Sequence, residues 1–84
     1  MNRKQIEQTA KEILADKLDI NVKTIRMDSD FIDDLRIDSF MAVELAFEIR
    51  EKFGIEISEK HFEKLRTVKD AVDLISAKLV SKGK

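Results

Sequence analysis

The chain has 84 residues, enough for one domain that buries about 60 to 65% of its unfolded surface but not for a deep catalytic cleft, so large substrates must be handled outside it. Sixteen basic residues against 17 acidic ones leave a net charge of −1, which gives no global field to favour nucleic acid or an anionic membrane. Cysteine is absent and His61 is the single histidine, so a disulfide framework, a thiolate metal site and a histidine metal cluster are all excluded.

Charged residues make up 39% of the chain, and two glycines with no proline suit a soluble helical bundle rather than a sheet. No apolar run reaches the length of a signal peptide or a membrane span, so cytoplasmic residence without membrane insertion is expected, as a monomer. Asn2 can cap a first helix, with Gln5 completing a capping box, and Ile6, Ala10, Ile13, Leu14 and Leu18 keep helical spacing to about residue 18. Over residues 19–37 that period is lost and turn formers accumulate. Ile20, Val22, Ile25, Phe31 and Leu35 are the expected anchors of this long loop, with a short helical turn near residues 31–35. Asp28, Ser29, Asp30, Asp33 and Asp34 invite a calcium reading. An EF-hand loop counted from Asp28 requires Gly sixth and Glu twelfth, where this sequence has Asp33 and Ser39, so the aspartates read as turn caps.

Asp38 and Ser39 are both helix-capping types, and the segment 40–53 behind them has neither Gly nor Pro. At roughly 100° per residue this second helix carries two apolar stripes. Ala42, Leu45, Ala46, Ile49 and Phe53 form one; Phe40, Val43 and Phe47 form another about 140° away. The longer stripe is assigned to the core, which leaves the shorter one exposed around Ser39 with Glu44, Glu48 and Glu51 along its margin. An apolar surface with an acidic border is a docking face. Periodicity alone leaves open the alternative that both stripes are buried.

Gly54 fits the position just past the helix end, and Ile55 and Ile57 pin the connection that follows. Ser58 caps a short helix through residue 65, in which Phe62 and Leu65 share a face. Thr67 with Asp70 opens a last helix whose inward stripe is Val68, Ala71, Val72, Ile75 and Leu79. The expected fold is all-α: a small bundle of three longer helices and one short, with a long first loop, forming a single domain over residues 1–80 and a flexible tail at 81–84.

Ser39 admits two readings, a plain cap or the carrier of a covalent group. As a catalytic serine it would need a base, and His61 lies in a different helix with no hydrolase signature, so no enzyme and no catalytic residue is expected. A phosphodiester is better placed there, because a helix N-terminus offers unpaired N–H groups and the positive end of the dipole.

Phe31, Asp34-Leu35, Asp38-Ser39, Val43-Glu44-Leu45, Phe53, Ile57 and Thr67-Val68, in this register, resemble the acyl carrier proteins and the related peptidyl and aminoacyl carrier domains. The likeness runs from the first helix to Leu79. It implies that Ser39 receives 4′-phosphopantetheine from coenzyme A through a phosphopantetheinyl transferase, and that Asp38 assists this metal-dependent transfer. It also implies that Phe40, Val43, Glu44, Phe47, Glu48 and Glu51 meet acyl-loading and acyl-processing enzymes, and that an acyl chain slips between helices, with Leu45 and Ile49 as lining. The function implied is delivery of thioester-bound acyl groups in fatty-acid, polyketide or related biosynthesis. An aminoacyl or D-alanyl carrier is the alternative within the family. Outside it stands a helical protein–protein interaction module whose Asp38-Ser39 is only a cap.

The chain departs from the family pattern near the serine. Arg36 stands where Gly is usual, Phe40 where Leu is, Met41 where an acidic or small polar residue is, and Ser58 where Pro is, while Lys60 and His61 replace common acids. These changes point to a specialised member with a more apolar, less negative docking surface.

Overall fold

The computed structural model describes residues 2–82, the side chains of Glu59, Ser81 and Lys82 excepted. Four α-helices and one short 3₁₀ turn follow in order: α1 (Arg3–Leu18), the 3₁₀ turn Val22–Thr24, α2 (Ser39–Phe53), α3 (Glu59–Glu63) and α4 (Val68–Lys82). Each start is set by its capping residue. Asn2 accepts from the Gln5 N–H while the Gln5 side chain accepts from the Asn2 N–H; Ser58 accepts from His61; Thr67 and Asp70 cap one another's N–H groups at the head of α4. Ser81 and Lys82, expected to open a flexible tail, still belong to α4, and Gly83 and Lys84 lie outside the described residues. The short helix closes at Glu63, two residues before the expected end.

The core is one cluster. α1 packs on α4 and α2, and α3 packs on α2. Ile6, Ala10 and Leu14 of α1 meet Leu45, Ala46 and Ile49 of α2 and Val68, Val72 and Ile75 of α4, with Ile55 and Ile57 buried in the connection after α2. These are the stripes the periodicity predicts.

The long loop is held by backbone bonds as well as by apolar anchors. Met27 and Ser29 carbonyls accept from Lys69 and Val68 at the start of α4, and the Phe31 N–H donates to Arg66 across a bridge pairing Asp30 with Thr67. The Phe31 ring stacks on Phe62 of α3 at 5.7 Å between centroids, which ties the loop to the short helix. Of the expected anchors, Ile25 and Phe31 are buried and Val22 and Leu35 are half-buried, but Ile20 is 40% exposed because it follows the left-handed residue that turns the chain away from α1. Ile37 and Met27 anchor the loop in its place.

Among the described residues three take left-handed backbone, and each ends a helical turn. At Asp19 and Gly54 the residue type tolerates this geometry. Arg36 does not, and at φ 58° it carries about 1–2 kcal/mol of strain that Gly would avoid. Its N–H donates to the Ile32 carbonyl, as expected for the residue that closes a turn, and the next N–H, of Ile37, donates to Phe31. The helical turn expected near residues 31–35 is present as this closed turn.

Candidate functional site

The approach to α2 places Ser39 by dividing the work of its neighbours. Asp38 is the cap: its backbone is extended, its carboxylate accepts from the Met41 N–H at 2.8 Å, and its carbonyl accepts from Ala42. Ser39 is therefore the first helical residue. Its side chain is exposed, and among the described residues no hydrogen bond engages its hydroxyl. The N–H groups of Ser39 and Phe40 likewise have no acceptor among the described residues, as the first turn of a helix dictates. A free hydroxyl thus stands beside two free donors at the positive end of a 15-residue helix, a setting that suits an anionic group on the oxygen.

Beside Ser39 lies an opening of about 200 Å³. Phe31, Ile37, Ala42, Phe62 and Leu65 line it, with Ile32, Asp38, Ser39 and Glu63 completing the lining. Leu45 and Ile49, expected to line the space taken by an acyl chain, are 0% and 2% exposed in the closed core, while the opening beside Ser39 lies between the loop, α2 and α3.

The second stripe of α2 is open to solvent. Phe40 is 70%, Phe47 56% and Val43 39% exposed, so the alternative that both stripes are buried does not hold. Ile32, 70% exposed, adds to this apolar surface; it sits outside any periodic pattern, so the sequence offered no signal for it.

The acidic margin is quieter than its sequence implies. Lys17 of α1 places its ammonium 3.6 Å from Glu44 and 3.3 Å from Glu48. The Glu48 carboxylate, helped by Glu44, holds Lys17 above the usual lysine value against its partial desolvation. Only Glu51 of the three acids remains exposed without an ion pair among the described residues. Pairing at sequence separations near 30 carries no local signal, so Lys17 was not legible as part of this surface.

Of the four aspartates at 28–34, Asp30 and Asp34 are spent on turns, while Asp28 pairs with Arg26. Asp30 accepts from the Ile32 and Asp33 N–H groups at 2.8 Å, and these bonds, the Asp33 one foremost, hold its carboxyl below the usual range; Asp34 accepts from the Asp30 N–H. Among the described residues no group of three His, Asp or Glu side chains is placed to hold a metal ion, and no helix is long and apolar enough to cross a membrane.

Residues 8–75 match the family model described as the phosphopantetheine attachment site. The acyl carrier protein of Coprothermobacter proteolyticus is 39% identical over 98% of this chain and all of its own length. That of Buchnera aphidicola is 44% identical over 94% of this chain and 99% of its own. The solved acyl carrier protein from Enterococcus faecalis superposes with a TM-score of 0.77 at 33% identity, covering 93% of this chain and 99% of that one.

Proposed function

The chain belongs to the acyl carrier proteins, and from that premise we propose that Ser39 holds its 4′-phosphopantetheine arm and that the open face of α2 receives the enzymes it serves. When bound, this group supplies the thiol that a cysteine-free chain lacks, and acyl groups are carried on it as thioesters. The chain itself is a carrier and not a catalyst.

The observation that carries the assignment is the exposed, unbonded Ser39 hydroxyl at the first position of α2, freed from capping because Asp38 performs that task. Asp38 keeps the first turn formed and presents its carboxylate beside the acceptor, where it can meet the transferase. Attachment at this oxygen leaves the helix intact. Incubation with coenzyme A and a broad-specificity phosphopantetheinyl transferase, read by intact mass, tests it. Wild type is expected to gain one phosphopantetheine and Ser39→Ala none; no gain by wild type, or a gain that persists in Ser39→Ala, would overturn the assignment.

Specialised rather than housekeeping partners fit the surface best. Phe40, Val43, Phe47 and Ile32 are exposed, and Lys17 neutralises two of the three acids on α2. Hydrophobic contact then contributes more to docking than long-range steering by negative charge. The mass of the group found on protein purified from its own source distinguishes an acyl cargo from an aminoacyl one.

A further inference from the structure

The one strained residue among the loop's turns lies three positions before Ser39, and this inference rests on Ser39 being the attachment point. We infer that the Arg36 guanidinium pairs with the phosphodiester that joins the arm to Ser39.

Four observations converge on it. Arg36 keeps left-handed backbone at φ 58°, where a glycine would be unstrained, and strain of this kind clusters at functional sites. Its backbone is clamped on both sides, by the bond from its own N–H to Ile32 at 3.1 Å and from Ile37 to Phe31 at 2.8 Å, so the root of the side chain is fixed. The side chain is exposed and has no ion pair or hydrogen bond among the described residues, whereas Arg3, Arg26 and Arg66 each pair with an aspartate. Arg50 is also unpaired, but it lies three turns along α2 from Ser39.

The charge around the serine supplies the fourth. Residues 27–49 hold seven carboxylates, at Asp28, Asp30, Asp33, Asp34, Asp38, Glu44 and Glu48, and Arg36 is the single Lys or Arg among them. Asp38 and Glu63 line the opening together with Ser39, and no cation does. A phosphodiester is anionic at every physiological pH, so on Ser39 it adds like charge beside Asp38. Arg36 is the sequence-nearest positive charge that can offset this, at most about 10 Å away between backbones, a gap within the reach of its long side chain. The guanidinium fork matches two phosphate oxygens, which an ammonium cannot do as well. Of the neighbouring carboxylates, Asp38 already holds the Met41 N–H and Asp34 the Asp30 N–H.

The test uses the loaded protein, with loading first verified by intact mass. The Arg36 Nε–Hε resonance is followed in wild type before and after loading, and the ³¹P signal of the arm in loaded wild type, Arg36→Lys, Arg36→Gln and Arg36→Gly. On loading, the wild-type Nε–Hε signal is expected to shift and to exchange with water about two- to fivefold more slowly, the range of an exposed charge pair, with the effect shrinking in about 0.5 M salt. The ³¹P shift is expected to change in Arg36→Gln and Arg36→Gly and to lie between in Arg36→Lys. Arg36→Gly relieves backbone strain, and its thermal melt, recorded beside the spectra, distinguishes a lost pairing from unfolding. An unmoved Nε–Hε signal with ³¹P shifts alike in all four loaded proteins overturns the pairing and leaves Ser39 in place. Absence of loading overturns the assignment of Ser39, and the pairing with it.

Discussion

The two apolar faces of α2 have similar residues and opposite fates. Leu45, Ile49 and Phe53 are closed between α1, α3 and α4, while Phe40, Val43 and Phe47, on the same helix, meet solvent. In a domain this small the neighbouring helices cover one stripe of α2, and the uncovered stripe begins at the serine. What separates the two faces is therefore which of them the neighbouring elements cover, since both have the same helical period.

Truncation should break the symmetry of the two faces most plainly at Leu45. Leu45→Ala removes a fully buried side chain and is expected to cost about 2–5 kcal/mol in chemical denaturation. An effect opposite in sign is expected at the turn that delivers the open face: Arg36→Gly exchanges about 1–2 kcal/mol of strain for greater unfolded-state freedom, leaving a net gain of up to about 1 kcal/mol. A thermal melt that falls in Arg36→Gly would show that the left-handed turn costs less than the freedom glycine adds to the unfolded chain.

Phe47→Ala should stay within about 0.5 kcal/mol of wild type in stability and instead raise the KM of a partner enzyme about fivefold, as the loss of an interface aromatic does. Equal, large stability losses from Leu45→Ala and Phe47→Ala would erase the distinction between the faces. The smallest effect belongs to the margin between them. Lys17 has a raised folded value, so its contribution to stability is complete below the ordinary lysine pKa and is lost as pH rises through the folded one, above about pH 10.5. Melting curves over that range are expected to fall less steeply for Lys17→Met than for wild type.

Local chemistry was legible in the sequence wherever a residue acts on its near neighbours. The caps at Asn2, Asp38, Ser58 and Thr67, the end at Gly54 and the inward stripes of all three long helices need only short spacings to be read. Features made by distant residues were not. The bridge from Lys17 to α2, the docking of Met27 and Ser29 on α4, and the opening beneath Ser39 each join elements far apart in the chain. Periodicity selects the buried face of α2, Leu45 and Ile49 included, but does not say where the core opens. Arg36 is an intermediate case, since a departure from the family's glycine was visible and its left-handed backbone was not.

Peptide mapping of the loaded protein tests the central claim most directly. Trypsin cuts after Arg36 and Arg50, and the fragment 37–50 contains Ser39 as its single hydroxyl residue. The added phosphopantetheine is predicted on that fragment, with fragment ions placing it at Ser39. A bare 37–50 fragment from fully loaded protein, with the added mass on another peptide, would contradict the account.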